Sequence, residues 1–251
     1  MRLAVLSDVH GNCFALETAL ADMKKVGFDH IVCNGDMIQS EPQPHETVQL
    51  LREMKCSIVT GNSDAWLMTG VETDAHLISE ERRKKLDTVR EWSLSKLTDD
   101  DRAFINAFQP TVTVDLGRGR NLLAFHGSPT SFDQFLLPST PEDEFQEILK
   151  PYADNILTGG HMHLQYTRRL RDSQNFFFNP GSVGVAYNHE QSNPNGLLDP
   201  WAEYAVLTVE GAQASLEFRR IPLDMQKMAD IYRNSDRPFA DTAMEQYTRY
   251  E

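Results

Sequence analysis

The sequence predicts an α/β fold, with a largely parallel sheet in its first third and an α+β, strand-rich remainder. Three observations carry this. The opening stretch Leu3-Ala-Val-Leu-Ser-Asp8-Val-His10-Gly-Asn12 is a short continuous apolar run that stops at a turn, the pattern of a strand buried on both faces. Strand-like and helix-like segments then alternate three times. Beyond position 110 the helical spacing gives way to alternating and β-branched runs separated by Gly, Asn and Pro.

The elements follow in order. Leu16, Ala19, Leu20 and Met23 recur at helical spacing after Asn12, and Gly27 stops that helix behind Lys24 and Lys25, which suit the negative end of its dipole. Residues 30–34 read as a second strand closed by Gly35-Asp36, and 44–54 as a second helix with Val48, Leu51 and Met54 on one face. A third strand at 57–60 is closed by Gly61-Asn62-Ser63-Asp64. From 65 to 109 the rhythm breaks into charged helices. Ser79 is placed to cap one and Thr98 another, so the stretch is expected to be a helical insertion packed beside the site within a single domain. Residues 111–116 and 121–126 form the arms of a hairpin around Gly117-Arg-Gly-Arg120, and the second arm runs into His126-Gly127. Pro141 opens a helix as its first residue. A strand at 155–158 ends in Gly159-Gly160-His161-Met-His163. Further strands are expected at 165–170, 175–179, 203–209 and 214–221, a tight turn at Asn179-Pro-Gly-Ser-Val-Gly184, a long loop at 187–200, and a closing helix at 223–233. The polar tail from Asn234 is expected to be loosely ordered.

Composition excludes several classes. A formal net charge of -13 over 251 residues opposes broad binding to nucleic acid or anionic membranes, which needs clustered Lys and Arg. Cys13, Cys33 and Cys56 lack paired spacing and read as reduced core thiols of a cytoplasmic protein. No apolar run is long enough to span a bilayer, and the first residues do not form a signal peptide.

The chemistry lies where strands end. Asp8 and His10, Asp36, Asn62, His126, and His161 with His163 each follow an apolar run, most beside a glycine. Seven mixed oxygen and nitrogen donors are too many for one tetrahedral zinc. They suit two divalent ions about 3.5–4 Å apart sharing a carboxylate. His161 and His163 are two residues apart, so an extended segment would aim them to one side. His30, His45, His76 and His189 lack this context and read as surface or structural. Arg168 and Arg169 could reach a phosphate, although strand neighbours point opposite ways.

The series Asp8-Val-His10, Gly35-Asp36, Gly61-Asn62-Ser63-Asp64, His126-Gly127 and Gly160-His161-Met-His163 resembles the five-motif signature of the calcineurin-like metallophosphoesterases. The turn at 179–184 is similar to that of their small prokaryotic, YfcE-like phosphodiesterase branch. The resemblance implies a four-layer αββα sandwich of two mixed sheets flanked by helices. It implies that Asp8, His10 and His163 hold one metal and Asn62, His126 and His161 the other, with Asp36 bridging. It implies manganese first, with iron, zinc or nickel as other candidates, and a metal-bound hydroxide that attacks the phosphorus of a small phosphorylated substrate. Such ions would also neutralise the phosphoryl oxygens against the acidic surface.

Two departures stand out. Most of that superfamily has His where this chain has Ser63, and a neutral hydroxyl cannot serve as a cationic general acid. Weaker turnover of poor leaving groups is therefore expected. Asp64 is either catalytic beside Asn62 and Ser63 or an N-cap of the next helix. Glu41, in Asp36-Met-Ile-Gln-Ser-Glu-Pro42, is expected to lie near the site and disfavour highly anionic substrates. Two other readings compete. A non-catalytic scaffold on this fold, like the retromer subunit, would have lost ligands that are all present here. A dinucleoside polyphosphate hydrolase or protein phosphatase is disfavoured by Ser63 and by Thr60, where an Arg would be expected.

Overall fold

In a computed structural model the chain is described over residues 1–71, 79–187 and 196–250, the side chains of 248–250 excepted. Two five-stranded sheets lie face to face. The first has β1 (Arg2–Leu6) at its centre, with β2 (His30–Cys33) and β3 (Ser57–Ile58) running parallel on one side. On the other side β9 (Trp201–Glu210) and β10 (Gln213–Pro222) form an antiparallel hairpin. The second sheet runs β4 (Val112–Gly117), β5 (Arg120–Ala124), β6 (Ile156–Thr158), β8 (Phe176–Pro180), β7 (Gln165–Arg169). Its central strands β5, β6 and β8 are parallel and its edges antiparallel.

Strand alternation sorts the side chains into layers. Leu3 and Val5 of β1 join Val32, Leu207, Leu122, Ile156 and Phe178 between the sheets. Ala4 and Leu6, facing the other way, pack with α1 (Cys13–Val26) and α2 (Pro44–Met54) through Leu16, Leu20, Met23, Val48 and Leu51. Outside the second sheet, Leu123, Leu157 and Phe177 meet Phe145 and Leu149 of α6 (Glu142–Leu149). The result is the αββα sandwich. Each large apolar side chain buried in it contributes roughly 1.5–3 kcal/mol, and Leu3 to Leu6 of β1 are buried without a break.

Local signals place the helices. Asn12 caps α1, its Oδ1 accepting from Ala15 N. After β3 comes α3 (Asn62–Thr69), then α4 (Glu80–Lys96), capped by Ser79, and α5 (Asp99–Asn106), capped by Thr98. Glu80 to Lys85 is a solvated face with Glu80–Lys84 and Glu81–Lys85 pairs at 2.9 and 3.0 Å, and α4 and α5 lie against α2.

Three expectations need correction. Pro141 is the N-cap of α6, one position before its first turn. The closing helix α7 (Met225–Asn234) starts two residues later than expected, because Asp224 caps it by accepting from Lys227 N. The tail is not loose: α8 (Ala240–Met244) and a final 3-10 turn follow, and Ala243 and Tyr247 join the core. Its polar composition hid two apolar anchors at four-residue spacing.

Candidate metal centre

The parallel strands of both sheets end at one edge, and the singled-out side chains meet there. Asp8 and His10 lie beyond β1, Asp36 beyond β2, His126 beyond β5, and His161 and His163 beyond β6. Asn62 is the first residue of α3. Asp8, His10 and His163 bring donor atoms within 4.8 Å of one another, and Asp36, His126 and His161 do the same. Asp36 Oδ2 reaches both sets, at 3.7 Å from His10 Nε2 and 3.4 Å from His126 Nε2. Asn62 Oδ1 lies 2.9 Å from His126 Nε2. Glycine is required beside these groups: a Cβ at Gly61 would overlap Asp36 Oδ1, and one at Gly160 would overlap Ser7 Oγ.

The backbone is bent to achieve this. Ten non-glycine residues among those described have positive φ, and five of them are Asp8, His10, Asp36, His161 and His163. Left-handed backbone costs such residues of order 1–3 kcal/mol each and persists only where surroundings enforce it. Here the enforcement is visible. Asp8 N donates to Gly35 O at 3.0 Å and His10 N to Asp36 O at 2.8 Å. The turn at 179–184 clamps the β1 exit, with Val183 N on Ser7 O, Gly184 N on Asp8 O and Ser182 Oγ on Asp8 O. The segment carrying His161 and His163 is therefore not extended, contrary to the sequence expectation. Two left-handed residues flank buried Met162 and send the imidazoles to different sets.

The donor set fits divalent cations. Three imidazoles pair Nδ1 with a backbone carbonyl: His10 with Gln39 O at 2.9 Å, His126 with Asn34 O at 2.7 Å, and His163 with Val185 O. A carbonyl only accepts, so each Nδ1 carries the proton and each neutral ring turns an Nε2 lone pair inward. His10 Nε2 and His163 Nε2 then face each other at 3.2 Å, lone pair to lone pair. His126 Nε2 faces the Asn62 oxygen in the same way. Asp8 Oδ1 and His161 Nε2 are buried without a hydrogen-bond partner. A cation resolves all of these at once. Protons are the substitute when no cation is bound. Burial lowers the His126 pKa, but the Asp36 and Asp8 charges outweigh it and raise it to about 9. His163 is likewise raised against its burial, chiefly by Asp8. His10 stays lowered by burial, and His161 is lowered to about 4 by burial and the His126 charge. Burial opposes ionisation of Asp36, yet His126, His10 and His161 hold its carboxyl far below the usual range.

The third motif divides its labour. Ser63 N and Oγ both donate to Asp36, each at 2.8 Å, so the hydroxyl is on the shared carboxylate, which also sits at the positive end of α3. Asp64 is not the N-cap of α3 but its third residue, reaching back to the N-cap N–H as the acidic half of a capping box. Gly61 is the N-cap, and the buried Asp64 carboxylate accepts from the N–H groups of Gly61, Met37 and Ile38. Burial and the Asp36 charge push its pKa up to about 7.

Other candidates fall elsewhere. Glu41 follows the loop that orients His10, its N donating to His10 O at 2.6 Å; its side chain is 4 % exposed, and burial raises its carboxyl despite Arg237 nearby. Arg168 lies over the Phe145 ring, 3.8 Å from its centroid, and binds Glu142 on the outer face. Arg169 is exposed beside Arg120 and Phe218 around a cavity of about 570 Å³. Both are on β7, which begins only after the bend at His163. His30 and His45 pair with Ser57 and Asp101; His76 and His189 lie outside the described residues. Sequence reasoning missed Phe135, whose ring centroid is 4.9 Å from that of His161, and the role of Tyr187, which stacks on His163 at 4.6 Å. It also missed Arg237 and Tyr247, for which no local signal exists.

A family model described as the calcineurin-like phosphoesterase superfamily domain matches residues 1–200. The chain belongs to that superfamily. An uncharacterized protein of Methanocaldococcus jannaschii is 26% identical over 197 residues, 72% of this chain and 76% of that protein. A metallophosphoesterase from Sphaerobacter thermophilus superposes with a TM-score of 0.73 at 21% identity, covering 97% of each chain. A hypothetical protein from Pyrococcus horikoshii does so with 0.78 at 18% identity, covering 98% of this chain and 97% of that one. These two share the two-sheet fold. Among the described residues no helix is long and apolar enough to cross a membrane.

Proposed function

We propose that this chain is a two-ion phosphoesterase that hydrolyses a phosphodiester or phosphomonoester of a small molecule, with nucleic acid and membranes excluded as partners and the cytoplasm as its compartment. The observation that carries the reading is the convergence of inward Nε2 lone pairs around Asp36 together with the unpartnered Asp8 Oδ1 and His161 Nε2, a donor set that a cation in each group would satisfy.

In this reading Asp8, His10 and His163 would hold one divalent ion and Asn62, His126 and His161 the other, with Asp36 placed to serve both. Manganese is the first candidate by resemblance to the family; the carboxylate and amide oxygens suit it, and the four imidazoles equally admit iron, zinc or nickel. When bound, two such ions supply Lewis acidity, drawing charge from a phosphoryl group and lowering the pKa of water. The chain's own residues do the rest. The carbonyls of Gln39, Asn34 and Val185 keep the imidazole tautomers fixed, so no reorganisation is needed when substrate arrives. Ser63 keeps Asp36 ionised and aligned. Its engagement with Asp36 leaves no cationic acid at that position for the leaving group, which favours substrates whose leaving groups are already good.

The test is hydrolysis of bis-para-nitrophenyl phosphate by chelated protein, then after manganese is restored, with the para-nitrophenyl monoester in parallel. Turnover that appears only with the metal and vanishes in Asp36→Ala is expected. Absence of turnover in protein that binds two ions would overturn the reading.

A further inference from the structure

We infer that the C-terminal segment 237–247 positions one of the two donor sets, Asp8–His10–His163, and leaves the other untouched. This rests on the two-ion reading above. Each histidine of that set is oriented by a loop carbonyl, and each of those loops is tied down by the tail. His10 Nδ1 donates to Gln39 O at 2.9 Å, and the next carbonyl, Ser40 O, accepts from Arg237 Nε at 2.6 Å. Ser40 has a φ of 122°, a conformation a serine holds only under constraint. Glu41 N then returns to His10 O at 2.6 Å. On the other side His163 Nδ1 donates to Val185 O, and the preceding carbonyl, Gly184 O, accepts from Tyr247 Oη at 3.1 Å beside Asn12 Nδ2 at 3.0 Å. Tyr247 is buried at 4 % exposure, brought there by α8 and the final turn.

The second set is supported differently. His126 Nδ1 donates to Asn34 O, and the Asn34 amide is fixed by Thr158 Oγ1 at 2.8 Å and Gly159 O at 3.2 Å. Asn34 follows β2 and both of its partners lie at the end of β6, inside the sandwich. Residues 237–247 are therefore positioning residues for one ion, acting through two loop carbonyls.

The experiment is calorimetric titration of metal-stripped protein with manganese alone. Wild type is expected to bind two ions. Tyr247→Phe, which removes one hydroxyl and keeps the ring, and Arg237→Lys, which keeps the charge and loses Nε, are each expected to weaken one ion about tenfold, the lower bound for partners that orient a metal-binding histidine. The other ion keeps its wild-type affinity. Single-ion backgrounds identify which is which. In His126→Ala, Tyr247→Phe weakens the remaining ion; in His10→Ala it does not. Thermal melts of both tail variants confirm that they fold. Equal weakening of both ions, or of neither, overturns the inference while the two-ion reading stands. Wild type binding fewer than two ions overturns that reading, and this inference with it.

Discussion

The two donor sets carry the same chemistry on different supports. Asp36, His126 and His161 hang from strands β2, β5 and β6, and the carbonyl that orients His126 is locked between the sheets through Asn34 and Thr158. Asp8, His10 and His163 share the same strand-end origin, but the carbonyls that orient His10 and His163 belong to loops, and those loops lean on a segment more than two hundred residues away in sequence from Asp8. A donor set inherits the rigidity of whatever holds its outer nitrogens. One set's partner is buried between the sheets, whereas the other set's loops also take support from the tail, which is where the two are expected to respond differently.

Removing the group common to both sets should break the comparison outright. Asp36→Ala is expected to lose both ions and lower diesterase turnover by roughly a thousandfold, about 4 kcal/mol, read from metal content and initial rates on one preparation. Retention of two ions by that variant would show that the carboxylate is not shared. Next in size is the pair His10→Ala and His126→Ala. Each should leave one ion per chain, measured by elemental analysis after gel filtration.

Asp64→Ala sharpens the contrast between binding and building. It strands the buried N–H groups of Gly61, Met37 and Ile38, at about 1–3 kcal/mol per unsatisfied group before relaxation. A large drop in the denaturant midpoint is expected, with turnover per folded molecule nearly kept; the reverse pattern would give Asp64 a chemical role. Ser63→Ala removes one hydrogen bond to Asp36, worth about 1 kcal/mol. A loss of roughly fivefold in rate with two ions still bound is the expected result.

The smallest effect is a pH trend. His126 and His163 have raised pKa values in the metal-free centre, His126 about 9, against about 6.5 unfolded. Their protonated forms contribute stability that is complete below pH 6.5 and is lost as pH rises through their raised values, about 9 for His126. Metal-free protein should thus melt earlier at pH 9 than at pH 7. Manganese-loaded protein should show the opposite slope, because metal must displace those protons. Parallel slopes with and without manganese would mean the histidines do not meet the ion.

Much of this molecule is determined by its sequence read locally. Apolar runs that end in Asp8, Asp36, Asn62, His126 and His161 mark strand ends, and glycines beside them mark close approach, because periodicity and steric need are short-range properties. Caps at Asn12, Ser79 and Thr98 are equally local. Only the tertiary structure decided that His161 and His163 part company, since left-handed backbone at non-glycine residues is imposed by neighbours such as Asp8 and Asn179 rather than preferred by the chain. It also decided that Asp64 serves the backbone, that Glu41 is buried, that Arg168 turns to the outer face, and that a polar tail closes over two loops. Each of those depends on contacts between residues far apart in sequence, and no window of neighbouring side chains contains them.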